Sequence, residues 1–301
     1  MPVQNAYTPG SAIFCFLGTM RQTLDIQFGG SRLLVDCLGD AAVWLGDFLF
    51  GAMASATAAG AASGGILTVE SEAERGNIIC RQGDSLFYLG ESQGNAARKI
   101  MDRTITDLAT DSRGGMLFHA AAVRYHGYVL IFPGISGTGK STLAAWLCRN
   151  GFEYLTDELV FVPLDGSALE TFQRPLNIKT RGLPVIRSFM NFEDQANNRI
   201  VGGLATLISQ QLFNPGVPEK DDRVRIIFPS YAPSNSLAVE GLSRAKCTQS
   251  LIGNFVNARN LPAHGFPDVS RFSARAPGYV LSYPDFDGVI DLLHQHVLQE
   301  E

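Results

Sequence analysis

The sequence lacks long apolar runs, runs of basic residues and a signal-peptide start. No segment has the length and apolarity of a membrane span, and residues 1–5 have neither a basic start nor an apolar core. The basic residues are scattered, and 24 Lys and Arg against 29 Asp and Glu give a formal charge of −5. Such a surface does not favour polyanions. We therefore expect a cytoplasmic protein that binds neither nucleic acid nor membrane.

Clustered cysteines are also missing. The chain has five, which are Cys15, Cys37, Cys80, Cys148 and Cys247. They form no Cys-x-x-Cys pair, and no histidine lies at ligand spacing from them, so neither a disulfide framework nor a zinc site is indicated. We expect all five to be buried or incidental thiols.

Length and composition predict one large domain or two modest ones. The chain has 301 residues, and 46% of them are hydrophobic, which is enough for a substantial core. We predict an α/β protein of mixed α+β type, with an N-terminal α+β module at 1–112 and a second domain at 113–301. Short apolar runs between 11 and 50, one of them at Val43-Trp44-Leu45, predict strands and turns. The small-residue run 51–65 predicts a flexible loop.

Two further patterns in the first domain are periodic. Alternation within 66–89, with turn residues at Gly76 and Gly83, predicts a small antiparallel meander. The period then changes, and a helix is predicted over 95–107. Its apolar side contains Ala97, Ile100, Met101, Thr104 and Leu108.

A glycine-rich segment in the second domain carries the chemistry. Strands are predicted at 117–123 and 128–132, followed by Gly-Ile-Ser-Gly-Thr-Gly-Lys-Ser-Thr at 134–142 and by a helix that ends near Asn150. Gly, four residues, then Gly-Lys-Ser is the pattern of a phosphate-binding P-loop. The residues predicted to bind the nucleotide are Gly134, Ser136, Gly137, Thr138, Gly139, Lys140, Ser141 and Thr142.

Each position in this loop has a chemical reason. Glycines permit positive φ, so that backbone N–H groups turn toward a phosphate, and the following helix presents the positive end of its dipole. Lys140 can reach the outer phosphates, and the Ser141 hydroxyl can ligate Mg²⁺. We therefore expect ATP and Mg²⁺ as cofactors.

Acidic and imidazole side chains lie close to the loop in sequence. Asp157 and Glu158 interrupt an apolar strand at 154–162, and adjacent carboxylates on an extended chain point to opposite faces. One could then face the metal and the other an incoming hydroxyl, or both could be solvated acids in an exposed turn. His119 lies within the strand that precedes the loop, where a buried core histidine is the alternative to a catalytic one.

The stretch 117–162 resembles the catalytic domain of the bacterial HPr kinase/phosphorylase family. It is most similar to HPr-kinase-related proteins, some of which accompany peptide-modification clusters such as those that make lasso peptides. The segments 174–179 and 242–245 also resemble these relatives. The resemblance implies a P-loop core of the HPr kinase and phosphoenolpyruvate carboxykinase type, with a bent mixed sheet. Separately, the stretch 202–220 contains Pro215 and Pro218 and indicates either a mobile loop near the acceptor or an ordinary surface loop.

The resemblance also implies roles for individual residues. Asp157 would be the base that takes the proton from an acceptor serine, with His119 as its electrostatic partner and Lys140 as the phosphate-binding catalytic cation. Ser141 and Glu158 would lie near Mg²⁺. The residues alone leave open which of Asp157 and Glu158 is the base.

These features predict an ATP- and Mg²⁺-dependent serine kinase. Its expected partner is a small protein or peptide that carries the acceptor serine, and a homo-oligomer is possible. Two alternatives stay open, namely a kinase for the hydroxyl of a small metabolite such as a free amino acid, and a nucleotide-binding regulatory module without transfer.

Overall fold

Two units of mixed α/β structure make up the chain. The computed structural model describes residues 13–16, 19–55, 65–192 and 198–299. Unit 1 comprises Met1–Gln27 and Ser31–Leu108, and unit 2 comprises Phe28–Gly30 and Ala109–Glu301. The main division therefore falls at Leu108, close to the predicted boundary at 112. Most of the loop predicted at 51–65 lies outside the described residues.

Unit 1 is built on a seven-stranded sheet. Its strands are β1 (Ile13–Phe16), β2 (Thr19–Phe28), β3 (Ser31–Leu38), β4 (Ala54–Ser55), β5 (Ile66–Ser71), β6 (Ile78–Gln82) and β7 (Ser85–Gly90). The strand order is β1-β2-β3-β5-β6-β7, with β4 paired to β2. The pairs β5–β6 and β6–β7 are antiparallel, which confirms the predicted meander.

The helices of this part of the chain are α1 (Asp40–Phe50) and α2 (Gln93–Asp111). The predicted helix is confirmed in α2, whose predicted apolar side is buried. The strand predicted at Val43-Trp44-Leu45 is wrong, because these residues lie in α1. Its buried positions 42, 45, 46 and 49 recur at helical spacing, and this period outweighs the short apolar run.

Unit 2 contains an eight-stranded mixed sheet and a three-stranded sheet. Its strands are β8 (Gly115–Tyr125), β9 (Tyr128–Pro133), β10 (Glu153–Thr156), β11 (Leu159–Pro163), β12 (Glu170–Thr171), β13 (Leu176–Lys179), β14 (Arg199–Val201), β15 (Ala205–Ile208), β16 (Arg223–Tyr231), β17 (Ala238–Gly241) and β18 (Gly278–Tyr283). The large sheet has the order β12-β11-β8-β9-β16-β18-β17, with β10 paired to β8, and the small one has the order β13-β15-β14.

Helices cover the large sheet of unit 2. They are α3 (Lys140–Arg149), α4 (Leu183–Phe189), α5 (Arg244–Ile252), α6 (Phe266–Arg275) and α7 (Val289–His296). Every residue of β9 is buried, as expected for a central strand with both faces covered. On one face Leu130 and Phe132 join a core with Leu143 of α3, and on the other Ile131 joins a core with Leu251 of α5. No helix in the described ranges is long and apolar enough to cross a membrane.

The large sheet places the glycine-rich loop and the bend at Asp157 and Glu158 near the carboxyl end of β9, next to His119 of β8. The strands β8 and β9 are an antiparallel hairpin, and the glycine-rich loop follows β9 directly. Strands β10 and β11 both pair with β8, through Thr156 opposite Ala122 and Leu159 opposite His119. Asp157 and Glu158 form the bend between them, so the predicted interruption of this strand is confirmed.

The loop predicted at 202–220 is corrected by the structure. This segment contains β15 and a 3₁₀ turn at Gln210–Phe213. Beyond the turn, the backbone of Tyr154 donates to the Asn214 carbonyl and accepts from the Gly216 amide. The segment is therefore hydrogen-bonded to the large sheet. The many polar and turn residues of this segment favoured a loop, so β15 was not predicted from the sequence.

Candidate functional site

A cleft of about 590 Å³ lies in unit 2 at the end of β9. The glycine-rich loop and the start of α3 form one wall, and the bend between β10 and β11 lies across from it. The remaining lining comes from 174–188 and from the ends of β16 and β18. The predicted site residues that line the cleft are His119, Ser136, Gly137, Gly139, Lys140, Ser141, Thr142, Asp157 and Glu158.

Two glycines of the loop have a left-handed backbone conformation. Gly137 and Gly139 have φ values of 100° and 95°, which disfavour other residues. A Cβ at Gly139 would also come within 2.7 Å of the Tyr283 hydroxyl. The loop ends in α3, whose N-cap is Gly139, so the helix presents its N-terminal amides there.

The remaining predicted loop residues hold the loop together. The Thr138 hydroxyl donates to the Ile135 carbonyl at 3.1 Å, and the Gly134 carbonyl accepts from Lys140. Neither Gly134 nor Thr138 is part of the cleft lining. Of the predicted nucleotide-binding residues, these two therefore shape the loop, while the other six face the cleft.

Lys140 is a buried cation at the base of the loop. Its side-chain nitrogen donates to the carbonyls of Gly134 at 2.5 Å and Ile135 at 3.1 Å. Burial lowers its pKa, and the charge of Lys179 lowers it further, while Glu158 and Asp157 act in the opposite direction. Carbonyl oxygens compensate a buried charge only in part, so an anion would be a better partner.

A second basic segment lies over the tip of the loop. Lys179, at the end of β13, donates from its ammonium to the Ser136 hydroxyl. Arg181 follows in a 3₁₀ turn at Thr180–Gly182, and its guanidinium occupies the space that a side chain at Gly137 would need. Lys179 belongs to the segment singled out by the resemblance, whereas nothing in the local sequence assigned Arg181 to the cleft.

Both carboxylate oxygens of Asp157 accept hydrogen bonds within the fold. Its Oδ1 accepts from the Arg174 Nε at 2.8 Å and from the Tyr154 hydroxyl at 3.3 Å, and its Oδ2 accepts from the Asn177 amide at 3.0 Å. The side chain has no exposed surface. The alternative of two solvated acids in an exposed turn is therefore wrong. Both Asp157 oxygens are already engaged within the fold.

Glu158 points to the cleft and keeps one oxygen open. Its Oε2 lies 2.5 Å from the Arg174 Nη2, while its Oε1 lies 3.8 Å from the His119 Nε2. The side chain is 21% exposed. One guanidinium therefore holds both carboxylates, but it leaves only Glu158 accessible.

His119 is neither fully buried nor solvated. Its side chain is 34% exposed, lines the cleft and is next to Glu158, whereas the sequence predicted Asp157 as its partner. Burial lowers the pKa of His119 despite the raising effect of Glu158, and the charges of Lys140 and Arg174 lower it further. These effects together favour the neutral imidazole.

Arg174 also lines the cleft, although sequence reasoning gave it no role. Its side chain is 4% exposed, and ion pairing with Asp157 and Glu158 raises its pKa although burial opposes this. Next to it, the Asn177 side-chain oxygen is buried and has no hydrogen-bond partner among the described residues. The only sequence signal was the basic and proline-containing segment 174–179.

Aromatic and apolar side chains form another part of the cleft lining. Tyr231 and Tyr283 have ring centroids 5.6 Å apart, and Phe286 stacks on Trp146 at 4.7 Å. Tyr231, Tyr283 and Phe286 line the cleft with Val185. These residues come from three distant parts of the chain, so no local pattern could have identified them.

The donor groups present fit Mg²⁺ better than a tightly caged metal. Among the described residues there is no group of three or more His, Cys, Asp or Glu side chains able to hold a metal ion. Ser141 and Glu158 both line the cleft. Mg²⁺ in phosphoryl-transfer sites is held by one or two protein oxygens together with phosphates and water, so this sparse set is sufficient.

The thiols take no part in the cleft. Cys37, Cys80, Cys148 and Cys247 are free and buried, as predicted, and the side chain of Cys15 lies outside the described residues. Burial raises the pKa of Cys37 and of Cys80 to about 12 and that of Cys247 to about 11. These thiols are therefore poor nucleophiles at neutral pH.

In comparisons with known proteins, no protein-family model matches the chain and no curated protein matches it. The residues of the cleft themselves must therefore support any functional assignment.

Proposed function

We propose that the protein is an ATP- and Mg²⁺-dependent kinase that transfers the γ-phosphate to a serine hydroxyl of a small protein or peptide. One observation supports this most strongly. A P-loop with a buried lysine, Lys140, lines the same cleft as a carboxylate, Glu158, that has one open oxygen. Binding alone needs the first group, whereas transfer to a hydroxyl also needs the second.

The donor end of the cleft supports a nucleoside triphosphate. The loop amides, the N-terminus of α3 and Lys140 provide the positive field that phosphates require. The apolar part of the lining, which includes Val185 and Phe286, offers a surface for the nucleoside, since ligand pockets are largely apolar with a few placed polar groups. The antiparallel hairpin before the loop agrees with a core of the HPr kinase and phosphoenolpyruvate carboxykinase type, which we also propose.

Glu158 is the better base of the two carboxylates. Asp157 accepts three hydrogen bonds and is inaccessible, so we assign it to holding the bend and Arg174 in place. The sequence-based assignment of Asp157 as the base is thus replaced in this proposal. His119, whose Nε2 lies 3.8 Å from the open Oε1 of Glu158, is assigned as a positioning residue beside this carboxylate.

The transfer step follows from these positions. The acceptor oxygen attacks the γ-phosphorus, its proton passes to the Glu158 Oε1, and the bond between phosphorus and the β–γ bridging oxygen breaks, so that ADP leaves. Lys140 stabilises the charge on the phosphates during this step. Bound Mg²⁺, held by Ser141, phosphate oxygens and water, would neutralise phosphate charge.

The class of acceptor rests on the resemblance to HPr kinases. A metabolite hydroxyl is the second candidate, because about 590 Å³ is within the range of small-molecule pockets, roughly 300–1,000 Å³. Both candidates need the same catalytic groups.

Labelled ATP tests the proposal. The purified chain is incubated with γ-labelled ATP and Mg²⁺, with serine-containing peptides or with free serine, and the position of the label is determined. We expect label on a peptide serine. Efficient labelling of free serine alone would favour the metabolite kinase, and nucleotide binding without transfer to any acceptor would favour a regulatory module.

A further inference from the structure

Resting on the proposed function, we propose that Lys179 and Arg181 form a second phosphate-binding arm. This arm, defined here as residues 179–181, would contact the terminal phosphates of the donor from the side opposite α3. It would make the cleft selective for triphosphates over diphosphates. Phosphate binding would then depend on two separate segments of the chain.

The arm is held in place by hydrogen bonds on both sides. Lys179 pairs with Ala205 in the small sheet, and the Thr180 amide donates to the Leu204 carbonyl at 3.2 Å. On the other side, the Asn177 amide donates to Asp157. The backbone of the arm is thus positioned before any ligand arrives, which reduces the entropy lost on binding.

Both basic side chains reach the tip of the loop. The Lys179 ammonium contacts the Ser136 hydroxyl, and the Arg181 guanidinium lies against Gly137. Ser136 and Gly137 stand four and three residues before Lys140. Any side chain at Gly137 would displace the guanidinium, so this glycine has a second role besides its φ of 100°.

The charges near the loop are unbalanced. Arg174 is neutralised by two carboxylates, whereas within the described ranges no acid lies within ion-pair distance of Lys140, Lys179 or Arg181. Burial is the main cause of the lowered pKa of Lys140, and the charge of Lys179 adds to it, whereas Glu158 and Asp157 oppose it. Lys140 is buried, whereas Lys179 and Arg181 are exposed to solvent, and together they form a positive region that a multiply charged anion would neutralise.

The two cations suit different tasks. The Lys179 ammonium is a point charge that strengthens binding of a terminal phosphate, whereas the planar Arg181 guanidinium can donate to two oxygens at once. An arginine at the β–γ bridge stabilises charge that develops during transfer. Removing Lys179 should therefore affect ground-state affinity, and removing Arg181 should affect turnover more.

Calorimetric titration with two probes tests the arm. Wild type, Lys179→Met, Lys179→Arg and Arg181→Ala are titrated with the ATP analogue AMP-PNP and with ADP, each with Mg²⁺. We expect Lys179→Met to weaken AMP-PNP about 10- to 100-fold and ADP far less, because one charge-assisted contact is lost. Lys179→Arg should restore most of the preference. Arg181→Ala should lower the rate of transfer from γ-labelled ATP more than it lowers the affinity for AMP-PNP.

Matched controls separate the arm from general changes of charge. Lys246→Met and Arg149→Ala remove exposed cations away from the cleft and should bind both probes like wild type. Equal weakening of AMP-PNP and ADP by Lys179→Met, or wild-type behaviour of both arm variants, would overturn the arm while nucleotide binding stands. Absence of binding by the wild type would overturn the proposed function together with the arm.

Discussion

The two walls of the cleft are built in different ways. The glycine-rich loop comes from one continuous segment, 134–142, and it presents backbone amides and one lysine, Lys140. The opposite, acidic wall is formed by residues of three segments. Asp157 and Glu158 lie in a bend, His119 lies in β8, and Arg174 lies in the segment before β13. We call the loop the contiguous wall, because all its residues come from one segment, and its chemistry can therefore be predicted from the local sequence. We call the acidic side the assembled wall, because its residues come from separate segments, and their contacts form only in the folded chain.

Arg174 illustrates what assembly adds. Asp157 and Glu158 are neighbours with the same functional group, and the sequence could not assign their roles. One guanidinium contacts both, but Tyr154 and the Asn177 amide complete the shell of Asp157 alone. The two carboxylates are thereby separated into a buried structural group and an accessible one. The following changes test this contrast, beginning with the largest expected effect.

Lys140→Ala should abolish the function of the contiguous wall. Loss of the buried ammonium should lower phosphoryl transfer about 10³- to 10⁵-fold, as when a catalytic cation is removed from similar sites. Initial rates with γ-labelled ATP measure this effect. The exposed Lys246→Ala serves as the control. Transfer by Lys140→Ala near the wild-type rate would show that the loop does not bind the reacting phosphates.

Glu158→Gln and Asp157→Asn are a matched pair for the assembled wall. Glu158→Gln should lower kcat about 10²- to 10⁴-fold, with ATP affinity and melting temperature almost unchanged, because the amide cannot accept the proton. Asp157→Asn should instead destabilise the fold by about 1–3 kcal/mol, because Arg174 loses its fully buried partner and keeps only Glu158. Rate measurements and denaturant unfolding, made on both variants, give the comparison.

The opposite pattern would restore the assignment made from the sequence. If Asp157→Asn stayed stable but inactive, Asp157 would be the base. If Glu158→Gln mainly raised the Mg²⁺ concentration needed for activity, Glu158 would be a metal ligand instead. Each result assigns the two roles without further structure.

His119 should make stability depend on pH. Burial lowers its pKa, so the folded state binds a proton less readily than the unfolded state. Stability should therefore fall once the pH drops below the ordinary value of 6.5, and it should continue to fall until the pH passes the folded value. His119→Gln should flatten this part of the melting-temperature profile. The exposed His296→Gln should leave it unchanged, and an unaltered slope in His119→Gln would contradict the account.

Prediction from the sequence succeeded where structure is local. The hairpin of β8 and β9, the loop, α3 and the meander follow from periodicity and turn residues within short windows. The failures have physical causes of two kinds. A three-residue apolar run could not distinguish helix α1 from a strand, and the short strand β15 is stabilised by its neighbours rather than by its own pattern.

The site shows the same limit. Lys140 and Ser141 were identified because the loop itself fixes their positions. Arg181, Tyr231 and Tyr283 reach the cleft only through tertiary structure, and single residues of these types carry no pattern of their own. The pairing of His119 with Glu158 rather than Asp157 likewise depends on which carboxylate Arg174 and Tyr154 enclose.

Calorimetric titration of the wild-type protein tests the central claim most directly, that this cleft binds a magnesium nucleoside triphosphate through its phosphates. AMP-PNP, ADP and AMP are compared, each with Mg²⁺. We expect one site per chain, with affinity that falls in that order as phosphates are removed. Equal affinity for AMP and AMP-PNP, or no binding of any of the three, would contradict it.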